Sequence, residues 1–95
     1  MIHLTNDAIQ KNSSFYGKHE DGNKLSYNEF QKYLDQKYSD SKISFADHIY
    51  PRMKEIATDS FKSSYLQFDP DSMEHNFEVF GLDFMIDQDF KVWLI

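Results

Sequence analysis

Asp83 is the residue whose surroundings most suggest chemistry. It sits inside Phe77–Ile86, FEVFGLDFMI, the start of the chain's densest aromatic and β-branched run. Strand alternation puts Phe80, Leu82, Phe84 and Ile86 on one face, and Phe77, Val79, Asp83 and Met85 on the other. An ionised carboxylate there is expensive unless a cation or a hydrogen-bond donor meets it. Two readings stay open from the residues alone. Asp83 is a metal ligand, or it is a strand-edge carboxylate, solvated or paired with Lys91 across a hairpin. Asp87 and Asp89 read as turn residues. Asp83 and Asp87 share a face, yet four residues of strand rise separate them by roughly 13 Å, too far to chelate one ion together. Near the other end, Thr5-Asn6-Asp7 reads as a turn or helix cap.

Other chemistries find little support. Asp47-His48 and Glu74-His75 each lack a second histidine at ligand spacing. There is no Ser-His-Asp order, no phosphate-binding P-loop and no paired-cysteine motif. Zero cysteines remove disulfides and thiolate chemistry, which fits a reducing compartment. Gly17 and Gly22 are too isolated to cradle a phosphate, and His19 reads as a surface residue. A net charge of −6 with no basic stripe argues against a general nucleic-acid binder. No apolar run has the length of a membrane span, and Met1-Ile2-His3 opens no signal peptide. No internal repeat is visible.

The elements that must position these residues are short. Ninety-five residues make one small domain or part of a larger one. Met1–Leu4 reads as a strand and 12–23 as a loop. Ser26 with Glu29 forms a capping box that opens a helix over 26–38, its apolar face Tyr27, Phe30, Tyr33 and Leu34. Ser44 begins a second helix, ordered over 47–66, with a buried stripe of Phe45, Ile49, Met53, Ile56, Phe61 and Tyr65. Pro51 fits it only in the first turn and otherwise kinks it. Phe68-Asp69-Pro70-Asp71-Ser72 breaks the helix. A hairpin follows over 76–95, turning at Asp87-Gln88-Asp89. The expected fold is α+β: two helices packed on a C-terminal antiparallel hairpin, with a short N-terminal strand. Its unpaired edges and uncovered apolar surface predict aggregation, oligomerisation or a partner chain over the hairpin.

Two ordered motifs at opposite ends carry a family resemblance. One is Phe80-Gly81-Leu82-Asp83-Phe84-Met85, then Asp87, then Lys91-Val92-Trp93-Leu94-Ile95. The other is His3-Leu4-Thr5-Asn6 with Ile9-Gln10-Lys11. Tyr16-Gly17, Glu20-Asp21-Gly22-Asn23, Phe30 and Tyr33-Leu34 continue it in order. The chain resembles the tubulin–tyrosine ligase family, including its glutamylase and glycylase relatives. That resemblance implies a partial ATP-grasp domain over 1–95, from the C-terminal part and truncated at both ends. It implies ATP-dependent ligation of tyrosine, glutamate or glycine to tubulin tails through an acyl-phosphate, with ATP and Mg²⁺ as cofactors. Asp83 matches the family's Mg²⁺ aspartate, and Thr5 and Asn6 match positions near nucleotide and substrate. The family's glutamate and asparagine that follow Trp93-Leu94-Ile95 and complete the metal site fall beyond this chain. Tubulin or microtubules are the implied partners, and the cytoplasm, cytoskeleton and cilium the implied locations. Two function classes follow: a piece of a tubulin-modifying ligase, inactive alone, or a catalytically dead relative serving as an adaptor in a microtubule or ciliary assembly. The acidic balance opposes direct binding to acidic tubulin tails.

Overall fold

The computed structural model describes residues 6–18 and 24–95. The strand expected at Met1–Leu4, together with Thr5, His19 and Gly22, lies outside the described residues. The chain divides into two compact units, 1–42 and 43–95.

In the first unit, α1 is a single turn, Asp7–Gln10, and α2 spans Tyr27–Lys37. The capping box forms as the sequence predicts. Ser26 Oγ accepts from the Glu29 amide at 3.3 Å, and Glu29 Oε2 accepts from the Ser26 amide at 2.9 Å. The reciprocal bonds satisfy donors that a helix start leaves orphaned. The apolar face is narrower than expected. Leu34 is buried and Phe30 half-buried, whereas Tyr27 and Tyr33 are exposed. Tyr33 stacks on Phe30 and accepts a hydrogen bond from Lys37 Nζ at 2.7 Å.

The second unit holds the α+β arrangement. It begins with a π-helical turn, Phe45–Ile49, continuous with α3, Tyr50–Phe68. Ser44 caps the turn, accepting from the Asp47 amide at 3.1 Å. The helical stretch therefore starts two residues earlier and ends two later than 47–66. Pro51 accounts for the wide turn. It lacks the N–H that would reach the Asp47 carbonyl, and its ring would crowd that carbonyl in a regular helix. The chain relaxes by one residue, and the Tyr50 amide bonds back to the Phe45 carbonyl. Pro51 itself lies in the first turn of α3, the place where the sequence tolerates it.

Ile49 and Phe45 are buried, and Met53, Ile56 and Phe61 are half-buried. Tyr65 departs from the expected stripe and is exposed. At 100° per residue it is turned roughly 160° from Ile49, and Ser64 takes the inward position instead.

Two strands, β1 (Phe84–Ile86) and β2 (Val92–Leu94), pair antiparallel with Phe84 opposite Leu94, Met85 opposite Trp93 and Ile86 opposite Val92. α3 packs against β2, and Val92 is buried. The strands are much shorter than the expected hairpin. Residues 77–83 form no strand, and Asp83 stands opposite Ile95 at the edge of the ladder. This segment bends back onto α3 instead. The Phe61, Phe68 and Phe80 rings meet with centroids 5.1 to 5.9 Å apart, in tilted and edge-on contacts.

Candidate functional site

Asp83 stands immediately before β1. Its carbonyl accepts the Ile95 amide at 3.0 Å, which extends the ladder by one bond. Its side chain is exposed and makes no hydrogen bond or ion pair among the described residues. The alternative pairing with Lys91 does not form. The Lys91 ammonium lies 3.9 Å from the centroid of the Trp93 ring, a cation–π contact.

Asp87 turns out to organise the hairpin. One carboxylate oxygen accepts from the Asp89 amide at 2.9 Å and the Lys91 amide at 3.0 Å. The other accepts from Trp93 Nε1 at 2.8 Å. The Asp87 amide also bonds the Lys91 carbonyl, and the Phe90 amide bonds the Asp87 carbonyl, both at 3.0 Å. The indole donor first, and then the Lys91 amide, hold the Asp87 carboxyl below the usual carboxylate range. The turn role expected for Asp87 holds. The indole bond was not foreseen, although an aspartate six residues before a tryptophan in a hairpin is the pattern that could have signalled it.

Asn6 belongs to the first unit and Asp83 to the second. Asn6 is the N-cap of α1, its side-chain oxygen accepting from the Ala8 amide at 2.9 Å. Among the described residues, that leaves its amide N–H₂ as the free donor group. Asp7 beside it accepts from the Tyr16 hydroxyl at 2.6 Å and lies 3.5 Å from Lys24 Nζ. The Tyr16 bond, with a smaller contribution from Lys24, lowers the Asp7 carboxyl. This clasp lay outside the sequence reading, since a tyrosine nine residues from an aspartate has no periodic signature.

Among the described residues, no group of three His, Asp or Glu side chains converges as a metal cage would require. An open cleft of about 320 Å³ lies along Phe68, Asp69, Asn76, Phe77, Glu78 and Phe80, a place where the sequence reading put no site.

The Asp83 carbonyl thus meets the Ile95 amide just past β2, so the two halves of the C-terminal motif lie side by side in the hairpin. A profile described as the tubulin-tyrosine ligase family matches residues 1–95. The chain belongs to the tubulin–tyrosine ligase family. Among its relatives, a protein named tubulin glycylase 3B from Tetrahymena thermophila is 32% identical over 94 residues, covering 99% of this chain and 8% of the relative. A probable alpha-tubulin polyglutamylase Ttll1 from the same organism is 38% identical over 95 residues, covering 99% and 21%. The probable tubulin polyglutamylase TTLL9 of Rattus norvegicus is 34% identical over 94 residues, covering 99% and 19%. Within the tubulin–tyrosine ligase family, then, the chain spans about a fifth or less of the length of these relatives.

Proposed function

We propose that these residues are part of an ATP-dependent ligase that adds tyrosine, glutamate or glycine to tubulin tails, and that the chain alone is inactive. In this reading residues 1–95 form a partial ATP-grasp domain from the C-terminal part of the enzyme. The family match over the whole chain carries the proposal, supported by the small share of each relative that the chain covers.

The donor chemistry suits the family's cofactors. Asp83 offers a hard, exposed carboxylate with no competing protein partner among the described residues, which fits Mg²⁺. Mg²⁺, when bound, supplies charge neutralisation at the nucleotide phosphates. Asn6, whose amide donors have no partner among the described residues, is the group offered toward nucleotide or substrate, with Thr5 beside it in sequence. A single carboxylate leaves most of an octahedral shell to water and phosphate, so this chain by itself holds Mg-ATP weakly. Catalysis of phosphoryl transfer rests on positioned charge, and one ligand with one amide provides little of it.

Tubulin or microtubules are the partners in this reading, and the cytoplasm, cytoskeleton and cilium the locations. A further polypeptide segment or partner chain covers the apolar surface around the hairpin, where Met85, Trp93 and Ile95 are exposed. The test is isothermal titration with Mg-ATP beside a ligation assay with labelled tyrosine, glutamate and glycine. The expected result is binding no tighter than about millimolar and no ligation. Micromolar binding abolished by Asp83→Ala would show an intact nucleotide site. Turnover would overturn the assignment of the chain alone as inactive.

A further inference from the structure

We infer that Asp87 is a positioning residue: by clasping the Trp93 indole it fixes the hairpin register, and with it what stands across from Asp83. The functional half of this inference rests on the proposed metal role of Asp83.

Register needs a device here. Each strand has three residues, so few cross-strand pairs select one alignment. A slip of one residue would turn Val92 out of the core and Trp93 into it. The turn chemistry alone does not specify the alignment. Phe90 adopts φ 61°, a left-handed conformation that a bulky residue takes at a cost and that glycine or asparagine takes readily.

Asp87 supplies the missing specification. One oxygen closes the turn by holding the Asp89 and Lys91 amides. The other reaches across to Trp93, the middle residue of β2. The clasp thus joins the end of β1 to a particular residue of β2. Sliding β2 by two residues, which keeps its faces, would carry the indole about 7 Å away and break the bond. The Lys91 ammonium on the indole face gives the ring a second hold. The last ladder bond, from the Ile95 amide to the Asp83 carbonyl, exists only in this register. Asp83 then lies opposite Ile95, and whatever a longer chain places beyond Ile95 is delivered beside it.

A double-mutant cycle tests the idea in the intact chain: Asp87→Asn, Trp93→Phe and both together, with Gln88→Ala as control. An asparagine oxygen can still accept the two turn amides, but its N–H₂ cannot accept from the indole. Phenylalanine removes the indole donor and keeps an aromatic ring. The first readout is amide exchange at Ile95 by NMR, with the Ile56 amide of α3 as the check that the unit stays folded. Each single variant speeds Ile95 exchange roughly fivefold, and the double variant adds little more, since both remove one shared bond. Additive effects, or an unchanged Ile95 in Trp93→Phe, would reduce Asp87 to a turn residue and overturn the inference.

The second readout is line broadening by Mn²⁺ alone. In the wild type it centres on Asp83, and in each single variant it weakens or spreads along 83–89, while Gln88→Ala matches the wild type. Broadening centred on Asp83 and unaltered in the variants would also overturn the functional half. Broadening away from Asp83 in the wild type would sink the metal reading itself, and Ile95 exchange would still decide the register.

Discussion

Residues 77–83 and 84–95 are close in chemistry and unlike in structure. Both mix aromatic and aliphatic residues with carboxylates, and both read as strand. In 84–95 the inward residues are covered: Phe84 and Ile86 are half-buried and Val92 is buried. In 77–83 the exposure is 92% at Phe77 and 87% at Val79, while Phe80 joins the ring cluster on α3. The difference is not propensity. The later stretch has a partner strand in register, a helix over one face and a carboxylate that closes its turn. The earlier one has Phe80 against α3 and one ladder bond at the Asp83 carbonyl, and forms no strand. Alternation decides which residues would share a face, but a strand forms only where its backbone groups are paired.

The comparison breaks first at its best-covered residue. Ile49 is 1% exposed and anchors the helical stretch on which β2 rests. Ile49→Ala should cost about 2–4 kcal/mol, read by urea unfolding, and should release the hairpin. Val92→Ala should cost about 1–2 kcal/mol and disturb β2 more than α3, seen as faster amide exchange at Phe84 and Leu94. If β2 survives that change, the cover by α3 is not what orders the hairpin. Phe80→Leu tests the hold of 77–83 on α3. Losing the two ring contacts should cost about 0.5–1.5 kcal/mol, with ring-current shifts lost at Phe61 and Phe68.

Acid separates the two stretches another way. The Asp87 carboxyl is lowered by its bond from Trp93, so its folded value lies below the unfolded one near 3.8. The contribution is complete above that ordinary value and is lost as pH falls through the lowered folded one. Trp93 fluorescence should therefore change only below about 3.8, and Asp87→Asn should flatten the change. The smallest effect belongs to Phe77→Ala, which should alter stability by less than about 0.5 kcal/mol. It should nonetheless lower self-association in ultracentrifugation, because so exposed a ring contributes to contact between molecules rather than to folding.

Much of this was legible where a local rule settles the matter. Ser26 and Glu29 carry a capping box in their spacing, Ser44 marks the start of the second helix, and Asp87-Gln88-Asp89 marks the turn. Asn6 reads as a cap and is one. What escaped depends on partners distant along the chain. Where β1 forms depends on which backbone groups pair across the hairpin, and no window around Phe77 contains those partners. The exposure of Tyr65 depends on helical phase measured from Ile49, and a list of apolar residues hides it. The site is harder still. Asp83 stood out as a carboxylate within an apolar run, and the structure leaves its side chain open to solvent. Its position opposite Ile95 follows from a register that Asp87 and Trp93 hold by a bond no periodicity announces.

The wide turn at Phe45–Ile49 has a consequence for how this helix can change over descent. A π turn is what a helix shows when one residue has been slipped into it. Removing Ala46, which is exposed, would shorten the turn by the extra residue and favour ordinary helix. That helix would then bring the ring of Pro51 up against a carbonyl one turn earlier, with no slack to receive it. The deletion and the proline are thus incompatible alone, while deletion together with Pro51→Ala yields an unbroken helix. A lineage that replaces the proline first is spared that clash, so the order of the two changes matters.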